Sequence, residues 1–448
     1  EQPVAIMNTA TASQQPEGRE LKRELTLTDL VLMGLGNVVG AGVFVILGKS
    51  ILYGGKYMVP AFIVVAAVSI VMGFVYLEIY SRHKSDITEY LAIRDTMGES
   101  VGKIALYVIY LFAVLTAVVI VISMSKYISR SHYFAHIFGI DAVGSHTSSH
   151  THNSKAFELA FCGGLIALMC AINYAGIHVS KIVANSIAVI MLVVLGGVMV
   201  MGSTHVEDVA RLPTLPWDSI ALSGILSLFL FNGYDFIIKI SDESINPEDN
   251  KQALVYTLLI TTAIYLCVIV SGICVLKYKT ASTTYNLISK IYETLVGKRA
   301  GLIAYAAGLI IMFNTAFLSL LSASRFIYSC GKENTISNPE FWGKMSEYST
   351  PTNAIIVTFI IAFVCSLMNN EVVLTVFTNF SGLLILLLLC AALLITRWGE
   401  REDPAKQTEH NYILGNIDNM PIPVIIALLI IMYAKYKIIK HGFWLNIL

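Results

Sequence analysis

The sequence predicts an all-α polytopic membrane protein made of two related five-helix blocks, and three observations carry the prediction. Of 448 residues, 56% are hydrophobic and only 13% charged, with a mean hydropathy of +0.70, well outside the balance of soluble domains. Eleven apolar runs, each long enough for a bilayer-spanning helix, follow one another with only short polar connections. Two of them, the first and the sixth, are interrupted by glycine at matching depth.

The runs fall at about 27–53, 57–80, 102–128, 156–175, 179–202, 220–242, 251–277, 299–329, 353–369, 373–397 and 421–440. The first carries Gly34, Gly36, Gly40 and Gly42 in "GLGNVVGAGVF". Small residues four apart are common where membrane helices cross closely, so Gly36 with Gly40 reads equally as a packing face. The sixth run, "GILSLFLFNGYDFIIKI", places Phe231-Asn232-Gly233 at its middle, followed by Asp235 and Lys239. Each interrupted run opens a block of five, which is the trace of an inverted repeat. The predicted organisation is a polar tail over 1–24, a first repeat over 25–202, a second over 203–397, and a connecting loop with one further helix over 398–448. None of the polar interruptions is large enough for a separate soluble domain.

Lipid supplies no hydrogen bonds, so non-helical backbone at mid-membrane persists only where protein or a water-filled cavity receives its N–H and C=O groups. A half-helix beginning after Gly42 directs amides and a positive dipole end at the break, which suits a carboxylate. Freed carbonyls of both breaks suit an ammonium. Glycine, lacking Cβ, accepts the unusual torsions and lets a small ligand reach the backbone.

Lys+Arg and Asp+Glu number 30 each, so no net charge points to nucleic acid or an acidic partner. The seven cysteines lie in or beside apolar runs and read as small hydrophobes, with no disulfide framework. No complete Walker-type phosphate loop or His-Glu-x-x-His occurs, so neither a nucleotide enzyme nor a metalloprotease is indicated. His132, His136, His146, His150 and His152 cluster in one polar loop without a cysteine or paired carboxylate to complete a ligand set, and a flexible loop is expected rather than a metal site. No cofactor is expected. The polar N-terminus lacks a cleavable signal's pattern, so the first span is expected to direct insertion. Arg19, Lys22 and Arg23 before it, with Arg82, Lys84, Arg94 and Lys103 in the next loop on that side, favour a cytoplasmic N-terminus.

"LTLTDLVLMGLGNVVGAGVF", "LFLFNGYDFIIKISDESINPEDNKQAL", "LSASRFIYSCGKE" and "STPTNAIIV" resemble the first-, sixth-, eighth- and ninth-span signatures of the amino acid, polyamine and organocation (APC) transporter superfamily, and within it the cationic amino acid transporter branch. The resemblance covers about 24 to 440. It implies a LeuT-like 5+5 core with broken first and sixth helices, and a secondary transporter for amino acids. It also implies that the amides of Ala41, Gly42 and Val43 receive the substrate carboxylate. Carbonyls near Val38 and Val39, and those of Phe229 and Leu230, would take its amino group, with Gly40, Phe231 and Gly233 completing the breaks. Phe229 is the expected gate, its alternative being core packing. Asn232 either touches a substrate side chain or caps loose backbone.

Two departures from the family pattern are visible. "SRHKSDITEY" has no glycine or proline where the family's loop after the second span is glycine-rich, so that loop is expected to be built differently. Met191 stands where proton-coupled relatives have a lysine, and a thioether carries no proton. Asp235 and Lys239, four apart on one helical face, can pair within the membrane and act as a gate, a proton relay or a structural bridge. Glu78, Asp242, Glu243 and Arg325 lie near span ends and read as a closing network on the inner side. The alternative function is a transporter-like amino acid sensor or scaffold without flux.

Overall fold

In a computed structural model, residues 21–130, 151–203, 213–276, 286–368 and 370–402 are described. Ten of the eleven expected spans are helical. The first is broken into α1 (Leu27–Val38), α2 (Ala41–Val45) and α3 (Leu47–Gly54). α4 (Met58–His83), α6 (Glu99–Arg130), α7 (Thr151–Tyr174) and α8 (Ile177–Ser203) complete the first block, with a short helix α5 (Thr88–Met97) between α4 and α6. The sixth span divides into α9 (Trp217–Phe229) and α10 (Phe236–Lys239), and α11 (Pro247–Val275) follows. A connecting helix α12 (Leu287–Leu295) leads to α13 (Lys298–Lys332), a single turn α14 (Pro339–Trp342), α15 (Thr352–Leu367) and α16 (Glu371–Glu402). The run 421–440 and four of the loop histidines, His132, His136, His146 and His150, lie outside the described residues.

Eight helical stretches among the described residues are long and apolar enough to cross a membrane. Side chains such as Ile63, Ile104, Val193, Val200 and Ile303 remain more than half exposed, as lipid-facing positions should be, because there is no water to exclude from them in a bilayer. No strand occurs among the described residues beyond isolated bridges, one of which joins Leu25 to Ser244.

Local chemistry sets the helix starts. Thr26 accepts a hydrogen bond from the Asp29 amide (3.3 Å) while the Asp29 carboxylate accepts one from the Thr26 amide (3.0 Å), a reciprocal cap that fixes where α1 begins. Asn246 caps α11 by accepting from the Glu248 amide (3.2 Å), with Pro247 in the first turn, where its missing N–H is no loss. α1 packs against α11, α8 and α13, α9 against α3 and α4, and α10 against α13 and α11, so each broken span is flanked by continuous helices.

Candidate functional site

Helix α1 stops at Val38 because the next residues leave helical geometry: Val39 sits at φ −82°, ψ 28° and Gly40 at φ −79°, ψ −123°. Gly40 is required by proximity. A Cβ there would lie 1.6 Å from Thr315 Oγ1 and 2.6 Å from Thr315 Cβ on α13. In the sixth span Gly233 adopts φ +110°, a torsion that L side chains rarely accept, and it faces Asn37 across the gap between the breaks. Gly36 packs against Asn314, the residue before Thr315 on the same helix, so the two glycines four apart also form a packing face.

The freed backbone groups are satisfied across the breaks. Asn37 Nδ2 donates to the Gly233 carbonyl (2.8 Å) and Thr315 Oγ1 to that of Gly36 (3.1 Å). The Tyr265 hydroxyl, on α11, lies 2.9 Å from the Val38 carbonyl and 2.8 Å from that of Leu230, bridging the two broken spans. The Val38 and Leu230 carbonyls, implied as ammonium acceptors, therefore already share one protein donor. Tyr265→Phe should lower stability by about 1–3 kcal/mol, the cost of leaving buried acceptors unpaired, read as a drop in the midpoint of thermal unfolding in detergent.

Between the breaks lies a cavity of about 210 Å3, far more than the roughly 10–15 Å3 that one water needs. Of the residues implied for substrate binding, Val38, Gly42, Phe229, Asn232 and Gly233 line it, together with Asp235. Gly40 and Ala41 form the turn into α2, whose N-terminus has no side-chain cap, so its first amides are not claimed by a side chain. Ile46 keeps right-handed helical torsions, so α2 and α3 run on as one half-helix below those amides. Val39 and Val43 are fully buried in the core. Leu230 presents its side chain to Gly42, and Phe231 packs tilted against Phe62 and edge-on to Tyr265; neither lines the cavity.

The charged residues separate into four groups. Lys239 pairs with Asp235 and stands 3.2 Å from Glu89 on α5. Arg325 pairs with Glu243 at 3.0 Å, both buried. The backbone of the same Glu243 accepts hydrogen bonds from the amides of Glu24 and Leu25 (both 3.0 Å). Glu78, placed in that network by its position near a span end, instead accepts two hydrogen bonds from Arg397 on α16, with Arg82 at 3.4 Å. Asp242 donates its amide to the buried Asp86 carboxylate (2.8 Å), which also accepts from Ser241 Oγ (3.0 Å). Asp86 thus holds the end of the sixth span. Burial and the neighbouring Asp242 carboxylate push its carboxyl well above the usual range. Met191 is fully buried.

Tyr265, Thr315, Asn37, Glu89, Asp86 and Arg397 were not singled out from the sequence. Glu89 and Asp86 sit in "SRHKSDITEY", the stretch that departs from the family pattern, and that departure is the one signal pointing to them.

The chain matches the family described as Amino acid permease over residues 25–439. The branched-chain amino acid permease BcaP of Bacillus subtilis (strain 168) is 25% identical over 255 residues, 56% of this chain and 54% of that protein. The methylthioribose transporter of the same organism is 24% identical over 369 residues, 79% and 76% of the two chains. Cationic amino acid transporter 5 of Arabidopsis thaliana is 24% identical over 391 residues, 86% and 67% of the two. The match to the Bacillus permease thus spans about half of that protein's length, 54%.

Proposed function

The chain belongs to the amino acid permease family of the APC superfamily, an integral multi-pass membrane protein of the LeuT-like fold, and on that premise we propose that it is a secondary transporter that moves amino acids by alternating access. One observation carries the reading: both broken spans border a single cavity, and an uncapped half-helix N-terminus and a phenylalanine lie at its wall. Amides of Ala41, Gly42 and Val43 receive the substrate carboxylate, since the dipole end of α2–α3 favours an anion there. Phe229 closes over the bound molecule. Asn232, which reaches the cavity, contacts the substrate side chain. With the Val38 and Leu230 carbonyls engaged by Tyr265 and that of Gly233 by Asn37, the amino group falls to the Val39 and Phe229 carbonyls among those implied.

The two repeats, 25–202 and 203–397, form the moving bundle and its scaffold. The Arg325–Glu243 pair closes one end, on what we take as the cytoplasmic side. Two of the relatives carry names for branched-chain and cationic amino acids, which supports an amino acid substrate without fixing its side chain, while a third is named for a methylthioribose, which is not one. Counterflow decides between carrier and sensor: proteoliposomes loaded with a mixture of unlabelled amino acids should take up labelled ones saturably. Ligand-dependent thermal stabilisation with no counterflow would overturn the transporter reading in favour of a sensor.

A further inference from the structure

The carboxylate and amino group of an amino acid leave two walls of the central cavity unused. α1 to α3 and the break before α10 hold those groups in the transporter reading, and α13 packs directly on α1 and α2. The remaining walls come from α6 and α16. α16 packs on α6, α5 and α4 and reaches the cavity through Thr375, Thr378 and Asn379, which at spacings of three and four share one face of the helix. α6 contributes Phe112, Ala113 and Thr116. A substrate anchored at the breaks must point its side chain at this pair of helices.

The hydroxyls of these walls are spent unevenly. Thr378 Oγ1 donates to the Leu374 carbonyl (2.8 Å) and Thr116 Oγ1 to that of Phe112 (2.7 Å). On α13, Ser319 and Ser322, which also line the cavity, donate in the same way to the carbonyls of Thr315 and Ser319 (both 2.9 Å). A hydroxyl that has given its hydrogen to the backbone keeps only its lone pairs, so these four groups remain as acceptors. Thr375 is different: its Oγ1 is buried without a hydrogen-bond partner, and an unpaired buried polar atom needs a reason. One turn on, Asn379 brings a carboxamide, with two donor hydrogens and an acceptor oxygen.

Charge narrows the choice further. Among the described residues Asp235 is the acidic group of the cavity wall, and it is paired with Lys239, while Lys49 of α3 lines the same cavity. A cationic side chain would have to displace Lys239 and would enter a cavity whose wall already carries a basic residue. An apolar side chain meets another penalty, because it covers Thr375 and Asn379 without remaking the hydrogen bonds that water gives them. A carboxylate brings no donor for the acceptors of α6, α13 and α16. We propose that the substrate is an amino acid with a neutral hydrogen-bonding side chain, a carboxamide or a hydroxyl, and that Thr375 and Asn379 select it. The proposal rests on the transporter reading for the anchoring of the carboxylate. The side chain's N–H or O–H donates to the acceptors of α6 and α16, Thr375 donates to its oxygen, and its methylene groups lie against Phe112 and Ala113.

Ligand-dependent thermal stabilisation of the purified full chain tests the choice, with asparagine, glutamine, serine and threonine set against leucine, lysine and glutamate. The tightest binder should come from the first four, with half-maximal stabilisation at a concentration about tenfold or more below that of any of the other three, the ratio expected when one buried hydrogen bond goes unmade. Thr375→Val and Asn379→Leu, apolar replacements of similar shape, should each cut the preference over leucine about tenfold. The preference is read as a ratio within one variant, so a general loss of stability cancels. Leucine, lysine or glutamate binding best, or the wild-type ratio surviving in both variants, overturns the proposal and leaves a carrier for another amino acid. Stabilisation by no amino acid at all overturns both the proposal and the amino acid site on which it rests.

Discussion

Gly42→Val should abolish amino acid binding while the protein still folds and inserts. Gly42 lines the cavity, one residue into the half-helix whose amides are proposed to hold the carboxylate. A Cβ here would come 2.9 Å from Leu230 Cδ2, the far end of a flexible side chain that can turn aside, so alanine is tolerable in the fold. Valine adds two methyl groups that have nowhere to go but the cavity, and its branched Cβ restricts the torsions of the first turn. Ligand-induced thermal stabilisation and counterflow should both vanish, with the unliganded unfolding midpoint lowered far less than by a change at Gly40. At Gly40 even alanine meets Thr315 at 1.6 Å, and because the break and α13 must separate to admit it, Gly40→Ala should be clearly destabilising. Overpacking of this kind costs about 1–3 kcal/mol or more. Retained wild-type affinity in Gly42→Val would remove this position from the site.

These two glycines show what could be read from the chain and what could not. A glycine-rich, apolar run signals that backbone must approach something or turn, and the signal survives in one dimension because the lost side chain is itself the message. The matching break at Phe231-Asn232-Gly233 was legible for the same reason. The identity of the partners was not. Tyr265 lies in an otherwise ordinary apolar helix, and nothing local marks its hydroxyl as the donor that joins Val38 to Leu230 over sequence separations of 227 and 35 residues. Glu78 was placed by its position near a span end with Glu243 and Arg325, yet its carboxylate turns to Arg397, 319 residues away. Charge pairing in a bundle is decided by which helices neighbour one another, and that neighbourhood is a property of the repeat, not of any window of sequence. Asp86 and Glu89 of the second-span loop are likewise both buried.

Arg325→Met should destabilise the protein by about 3–5 kcal/mol, the usual consequence of stranding one member of a buried ion pair. Glu243 would be left 1% exposed with no cation against Oε1, and its second oxygen already lacks a hydrogen-bond partner. Even with Arg325 present, burial pushes the Glu243 carboxyl above its ordinary range. Without it the residue escapes ionisation by taking up a proton, which fixes the sign of the pH dependence. A carboxyl whose folded value lies above its unfolded one loses stability as pH rises between them, so the variant's unfolding midpoint should be nearest wild type in acid, fall behind as pH rises through that window and level off above it. Arg325→Met with Glu243→Leu removes both charges, and replacing a buried pair by apolar groups is often neutral or better; the double variant should recover most of the lost stability and lose the added pH dependence. The pair also joins the start of the first span to the end of the sixth, since the Glu243 backbone accepts from Glu24 and Leu25. If it closes one end of the bundle as proposed, the double variant will be as stable as wild type yet slower in counterflow, because the closed state has lost its latch. Full stability with unchanged counterflow would reduce the pair to a structural cross-link.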